Sequence, residues 1–133
     1  MPDYSEYCAI LERKGYQLRK IKKNIFQDNN GILLLYQFNP EGYSSAWFHI
    51  NENVIKSYVK APNSRMVFFF GDFFVILPIQ LINQWIEAAG SYDYERSRLY
   101  SLHFIQEGSA MIAQFSGSLE YVVTNYTFRS LSS

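Results

Sequence analysis

The fold is decided by residues 66–77, which read MVFFFGDFFVIL. Two apolar runs flank Gly71-Asp72, and a glycine followed by a polar residue is typical of a two-residue type II′ turn. The stretch therefore predicts a β-hairpin whose strands are apolar on both faces and need cover on both. Helices over 51–59 and 78–89 can cover one face. The other face requires the first helix, a C-terminal helix or a second subunit.

Upstream of the hairpin, the chain predicts a helix, three strands and a second helix. Residues 4–14 carry apolar side chains at helical spacing and end before Gly15. Residues 16–26 fit a bulged strand or a continued helix, and we prefer the strand because a glycine inside a helix costs about 1 kcal/mol relative to alanine. Strands over 32–38 and 43–50 follow, separated by turn residues.

Downstream, Pro78 suits the first position of a helix that Gly90 ends. Residues 99–105 and 110–115 predict another hairpin, and apolar residues at helical spacing after Ser116 or Ser118 predict a last helix. The predicted order is α-β-β-β-α-β-β-α-β-β-α. It indicates a single α+β domain over residues 1–133, with a central mixed β-sheet flanked by helices.

Composition indicates one globular domain that associates with itself. The 133 residues are 48% hydrophobic and 18% aromatic, whereas only 18% are charged, which predicts a homo-oligomer with aromatic side chains at its interface. The single cysteine, Cys8, cannot form an internal disulfide and suits a reducing, cytoplasmic location. We expect no signal sequence, because the chain starts Met-Pro-Asp-Tyr-Ser with an early acid and no apolar region. We expect no membrane partner either, because Gly71-Asp72 and Pro78 interrupt the longest apolar stretch.

Positive charge is concentrated near the start of the chain. Six of the twelve basic residues lie within eleven positions without an intervening acid, although the formal net charge is zero. These residues are Arg13, Lys14, Arg19, Lys20, Lys22 and Lys23. Such asymmetry suggests a polyanionic partner, and the last four residues are the predicted phosphate contacts of a nucleic acid. Lysines that protect an exposed strand edge are the alternative interpretation.

The charged residues suggest metal-dependent cleavage as a candidate reaction. Pro2-Asp3 with Glu12-Arg13-Lys14 matches the sequence motif PD…ExK. The second part of this motif lies on the predicted first helix, so charge on the helix surface explains it better. A second reading uses Asp28 followed by Gln37-Phe38-Asn39, where the second motif ends an apolar strand.

With the helix-then-strand opening LERKGYQL (11–18), this second reading resembles the restriction-endonuclease-like fold, the PD-(D/E)XK family. The resemblance covers roughly 5–105 and implies a core order α-β-β-β-α-β. It also implies catalytic residues Asp28 and Gln37, with Asp28 as a ligand of Mg²⁺. Asn39 replaces the lysine of that motif and Gln37 replaces its preferred acid. The resemblance therefore leaves open an active nuclease and a catalytically silent nucleic-acid-binding relative.

Two further interpretations remain from the sequence. His49 and His103 lie in predicted strands, where paired histidines can act as acid and base. The hydroxyl residue of such motifs is missing here, so two partly buried structural histidines fit better.

The second interpretation is a different class of function. A small interaction module, such as an immunity, inhibitor or assembly protein without enzymatic activity, could use the basic strand and the aromatics to bind an acidic protein.

Overall fold

Two β-sheets pack face to face in the computed structural model, which describes residues 4–22, 25–28, 33–37, 46–61, 63–70 and 73–129. In chain order the elements are α1 (Tyr4–Arg13), β1 (Arg19–Lys22), β2 (Ile25–Gln27), β3 (Leu33–Gln37), β4 (Trp47–Asn51), α2 (Glu52–Tyr58), β5 (Arg65–Phe70), β6 (Phe73–Pro78), α3 (Ile79–Ala89), β7 (Leu99–Glu107), β8 (Ala110–Phe115), β9 (Leu119–Val122), a 3-10 helix (Thr124–Tyr126) and β10 (Thr127–Arg129). The mixture of helices and largely antiparallel sheets confirms the predicted α+β class.

The first sheet has six strands in the order β1-β2-β3-β5-β6-β10. Its neighbouring strands are antiparallel except for β3 and β5, which pair in parallel. The connection between these two strands passes through β4 and α2, because parallel neighbours need a long crossover. The sheet is therefore mixed, with β1 and β10 as its two edges.

The predicted hairpin is present as β5 and β6. The two strands are antiparallel, and Phe70 lies opposite Phe73 in the last pair of the ladder. The predicted turn at Gly71-Asp72 lies outside the described residues. Successive residues of β5 point to opposite faces. Both faces are buried, since Phe68 is 0% exposed and Phe69 is 1% exposed.

The chain covers both faces of this hairpin by itself. Helix α1 covers one face, where Leu11 joins Val67 and Phe69 in a buried cluster. The second sheet and α3 cover the other face, where the core contains Phe68 and Phe104. The hairpin thus leaves no apolar face for a second subunit to cover. The uncovered face was one reason to expect a homo-oligomer from the sequence, and this reason no longer applies.

The second sheet is antiparallel, in the order β4-β7-β8-β9. Its inner face meets the hairpin through aromatic side chains. The ring of Phe48 packs edge-on to Phe68, with centroids 5.1 Å apart, and Phe104 stacks on Phe70 at 4.9 Å with 9° between the ring planes. Edge-to-face and stacked pairs of this kind add about 0.5–1.5 kcal/mol each beyond the burial of their area.

Both central helices begin and end close to the predicted positions. The side chain of Asn51 caps α2 by accepting a hydrogen bond from the backbone N–H of Asn53, at 2.8 Å. Helix α3 begins directly after Pro78 and ends at Gly90, whose φ of 80° lies in the region that glycine tolerates. No helix in the described part of the chain is long and apolar enough to span a membrane.

Three expectations about the architecture are corrected. Residues 16–26 do not form one bulged strand: a register shift occurs between Lys20 and Lys22, but the chain then reverses and pairs β1 with β2. The strands form two sheets rather than one central sheet, because β4 leaves the first sheet and pairs with β7. The predicted C-terminal helix is wrong, since 119–129 form two strands around a short 3-10 helix.

The C-terminal error has a local cause. The segment that follows Ser118 has apolar residues at helical spacing, but it also contains Val122, Val123 and Thr124, whose branched Cβ atoms favour strands. Strand pairing with β8 decides the outcome, and it places Tyr121 in a stacked contact with Trp85, with ring centroids 4.5 Å apart.

Two isoleucine-to-alanine substitutions test the assignment of inner and outer positions. Ile50 is 0% exposed between the sheets, whereas Ile21 on β1 is 48% exposed. We expect Ile50→Ala to lower the free energy of unfolding by about 2–5 kcal/mol, because it leaves a cavity. Ile21→Ala removes the same atoms and should cost less than about 0.5 kcal/mol. Urea denaturation measures both, and equal losses would contradict the described packing.

Candidate nucleic-acid interface

The predicted phosphate contacts lie on an edge strand of the first sheet. Arg19 and Lys20 are exposed on β1. The guanidinium of Arg19 donates a hydrogen bond from Nη2 to Oε1 of Gln27, at 2.9 Å, and these two residues lie opposite each other in the ladder. Lys20 lies opposite Phe26, which is buried beneath α1. The two cations therefore occupy opposite faces of β1.

The other two predicted phosphate contacts are only partly described. The backbone of Lys22 pairs with that of Ile25, and Lys23 lies outside the described residues. Among the described side chains, β1 thus carries Arg19 and Lys20 on its two faces, at an edge of the first sheet.

The earlier part of the basic segment lies elsewhere. Arg13 and Lys14 are exposed at the end of α1, and Nζ of Lys14 lies 5.7 Å from the centre of the Phe128 ring on β10. Strand β10 is the edge opposite β1. Among the described cations of this segment, Lys14 therefore lies beside β10 whereas Arg19 and Lys20 lie on β1, so these three do not form one patch.

A second basic site results at the β10 edge. The guanidinium of Arg129 lies 5.4 Å from the centre of the Phe73 ring. An open groove of about 340 Å³ borders this strand and is lined in part by Phe73, Phe128 and Arg129. Cations and aromatic rings thus lie together at this edge of the sheet.

The register separates the two residues that the resemblance assigns to catalysis. Asp28 follows β2 and is 8% exposed, while Gln37 ends β3. Because Gln27 lies opposite Leu33, Asp28 lies beyond one end of β3 and Gln37 at the other. At about 3.3 Å per residue their backbones are about 13 Å or more apart.

Two ligands of one Mg²⁺ ion have oxygens about 2.1 Å from that ion, so this separation does not suit a shared site. In addition, no group of three His, Cys, Asp or Glu side chains within the described ranges is arranged to hold a metal. The described residues thus do not fit the Mg²⁺ site that the resemblance implies.

The two histidines lie on the outer face of the second sheet. His103 is half-buried and stacks on the exposed Trp47, with ring centroids 3.7 Å apart and 8° between the planes. Burial lowers the pKa of His103, and a hydrogen bond with Gln114 opposes this effect without cancelling it. His49 is exposed, contrary to expectation, and meets the ring of Tyr94 edge-on at 5.3 Å. Neither arrangement forms an acid–base pair.

A polar cluster around Asp93 was not predicted from the sequence. Its carboxylate accepts hydrogen bonds from the backbone N–H and the hydroxyl of Ser101, both at 2.8 Å, and from the hydroxyl of Ser116 at 3.0 Å. Burial raises the pKa of Asp93, but these hydrogen bonds outweigh it and leave the pKa below its ordinary value. The cluster ties the loop after α3 to β7 and β8. Sequence spacing gave no sign of it, because the three residues come from separate elements.

Comparison of the chain with protein-family models, with curated proteins and with solved structures found no match. The fold defines a two-sheet α+β domain, and its function has to be inferred from its own surface. The open, basic edge at β1 is the feature of that surface that the sequence also singled out.

The Asp93 cluster makes stability depend on pH. A carboxylate whose pKa is lowered by folding stabilises the protein above its unfolded pKa of about 3.9, and this contribution is lost as the pH falls through the folded pKa. We expect Asp93→Asn to lower the free energy of unfolding at pH 7 by about 1 kcal/mol, a small value because the site is exposed. The difference from the native chain should shrink below about pH 4.

Urea denaturation at pH 7 and pH 3 measures this difference. Glu95→Gln removes another exposed acid of the same loop and serves as the control, with an expected change of a few tenths of a kcal/mol. Equal effects of the two substitutions at pH 7 would refute the role of the cluster.

Proposed function

We propose that the chain is a nucleic-acid-binding domain that contacts the phosphate backbone along β1. The observation that carries this proposal is the pair of exposed cations, Arg19 and Lys20, on an edge strand. The hydrogen-bond acceptor of Arg19 is Gln27, an uncharged amide. Because a guanidinium has five N–H donors, this bond positions the group and leaves its positive charge available to a phosphate.

The geometry favours a polyanion that runs along the edge of the sheet. Arg19 and Lys20 lie on opposite faces of the strand, so a ligand lying flat on one face would meet only one of them. A phosphate chain that follows the edge meets both.

With β4 set aside, since it pairs with β7 in the second sheet, the order of the remaining elements supports a relationship to the nuclease-like fold within this proposal. Helix α1 precedes the antiparallel strands β1, β2 and β3, and α2 precedes β5, which joins β3 in parallel. Because the register keeps Asp28 and Gln37 apart, we propose binding without cleavage. Contacts to phosphate carry no information about base sequence, so the binding is expected to be non-specific.

An acidic protein is the second candidate for the same strand. The formal net charge is zero, whereas domains that bind nucleic acid usually carry excess positive charge. An exposed edge can also accept a strand from a protein partner. The two partners differ in salt dependence, because only a phosphate polymer releases condensed counterions when it binds.

Removing the two exposed cations tests the proposal. We expect the affinity of the native chain for random duplex DNA to fall steeply with salt, by roughly one power of salt for each phosphate contact. The double variant Arg19→Ala/Lys20→Ala should lower the slope of log K against log salt by about 2. Fluorescence anisotropy with labelled duplex and single-stranded DNA measures both slopes.

The charge-matched control is Lys60→Ala/Arg96→Ala, which removes two exposed cations outside the first sheet. It should leave the slope unchanged. Absence of DNA binding at about 50 mM salt, or an equal decrease of the slope in both double variants, would overturn the proposal. Binding of an acidic protein by a chain that does not bind DNA would favour the second candidate. Adding Mg²⁺ or Mn²⁺ to the complex with DNA should produce no cleavage. Cleavage would contradict the proposal that the chain binds DNA without cutting it.

A further inference from the structure

The outer face of the second sheet carries apolar and aromatic side chains in rows across its strands. In the ladder, Ile105 lies opposite Ile112, which lies opposite Val122. A neighbouring row is formed in the same way by Trp47, His103, Gln114 and Glu120. Residues directly opposite in an antiparallel sheet share a face, so each row is one continuous strip of surface.

These rows face away from the core. Val122 is 69% exposed and Trp47 is 54% exposed, whereas the alternate residues of the same strands, such as Phe48 and Ala113, are buried. An antiparallel sheet with one face in water normally carries polar residues on that face. Here an aliphatic row and a tryptophan occupy it, which is typical of a protein interface.

We propose that this face binds the same face of a second copy of the chain, around a two-fold axis that runs parallel to the strands between β7 and β8. Such an interface is isologous, meaning that both copies use the same surface. The proposal is independent of nucleic-acid binding, because the face belongs to the second sheet and β1 is an edge of the first.

The order of side chains within each row selects this axis. Rotation about it places β7 over β8 of the second copy and β4 over β9. Ile105 then meets Ile112 of the second copy, and His103 meets Gln114. An axis perpendicular to the strands and over the middle row would instead set the aliphatic row against the end of the sheet that carries His49 and Ser101. The first axis both brings Ile105 over Ile112 and pairs imidazole with amide.

The ends of the second row lie over each other under this axis, since Trp47 on β4 meets Glu120 on β9. Glu120, the charged member of the row, thus lies on an outer strand at the rim of the interface, where it keeps contact with water, whereas Ile105 and Ile112 lie on the two strands beside the axis. This distribution is the usual one in protein interfaces.

The size of the face suits a small, weakly associating dimer. Its four strands are about 4.8 Å apart and average six residues, which gives a flat area of roughly 380 Å². This is below the roughly 800 Å² per partner that a standard interface buries, in keeping with dissociation in the micromolar range. The low charge content of the chain, 18%, agrees with a surface that is covered in this way.

Sedimentation equilibrium of the full chain without nucleic acid tests the proposal. We expect a mass of about twice 15.6 kDa, with dissociation in the micromolar range. Val122→Lys introduces a charge at an exposed position of the face and should raise the dissociation constant at least tenfold. Ile21→Lys makes the same kind of change on β1 and should leave it unchanged. Near-UV circular dichroism checks that both variants are folded, and Trp47→Ser is the second face variant, also expected to weaken the dimer.

A native chain that stays monomeric at several hundred micromolar would overturn the proposal, and so would equal weakening by Val122→Lys and Ile21→Lys. The fluorescence of Trp47 also reports on the interface directly, because the other tryptophan, Trp85, is 3% exposed and gives a constant background. Acrylamide quenching of Trp47 should decrease as the protein concentration rises. Quenching by single-stranded DNA in a monomeric chain would instead assign the face to nucleobases.

Discussion

The aromatic contact between the two sheets is the interaction on which the other features depend. Phe68 and Phe70 project from one face of β5, and burying a phenylalanine side chain is worth about 1.5–3 kcal/mol relative to leaving it in water. The first sheet alone cannot cover this face. Strands β4 and β7 cover it with Phe48 and Phe104, and the rings meet in edge-on and stacked geometries. This contact therefore requires a second sheet and determines which of its faces remains outside.

Cover of the opposite face determines where the charges lie. Helix α1 packs on the first sheet, and Lys14, directly after the helix, lies over the ring of Phe128 on β10. The chain then leads to Arg19 on β1, which is the other edge strand of the sheet. Cations that are close in sequence therefore lie beside different strands, and the packing of α1 sets this distribution of charge.

Local patterns predicted most elements but not their partners. The two apolar runs around Gly71-Asp72 predicted β5 and β6, because the strand length, the apolar faces and the turn residues all agree. The alternation of 99–105 and 110–115 likewise predicted β7 and β8. That β4 would pair with β7, about 50 positions later, depends on contacts between distant segments that no local period reports.

The candidate site shows the same limit. Asp28 and Gln37 are nine positions apart, and only the register of β2 against β3 shows that they lie at opposite ends of a strand. The Asp93 cluster joins three elements and has no signature in spacing. At Val122 and Val123, helical spacing and β-branched composition disagreed, and pairing with β8 decided the result.

Native-state hydrogen exchange measures most directly whether the two sheets form one cooperative unit. If the aromatic contact holds them together, the slowest-exchanging amides of β5 and of β7 should open with the same free energy, within about 1 kcal/mol, and that value should equal the global free energy of unfolding. A second sheet that opens at a clearly lower free energy while β5 and β6 stay protected would contradict this account.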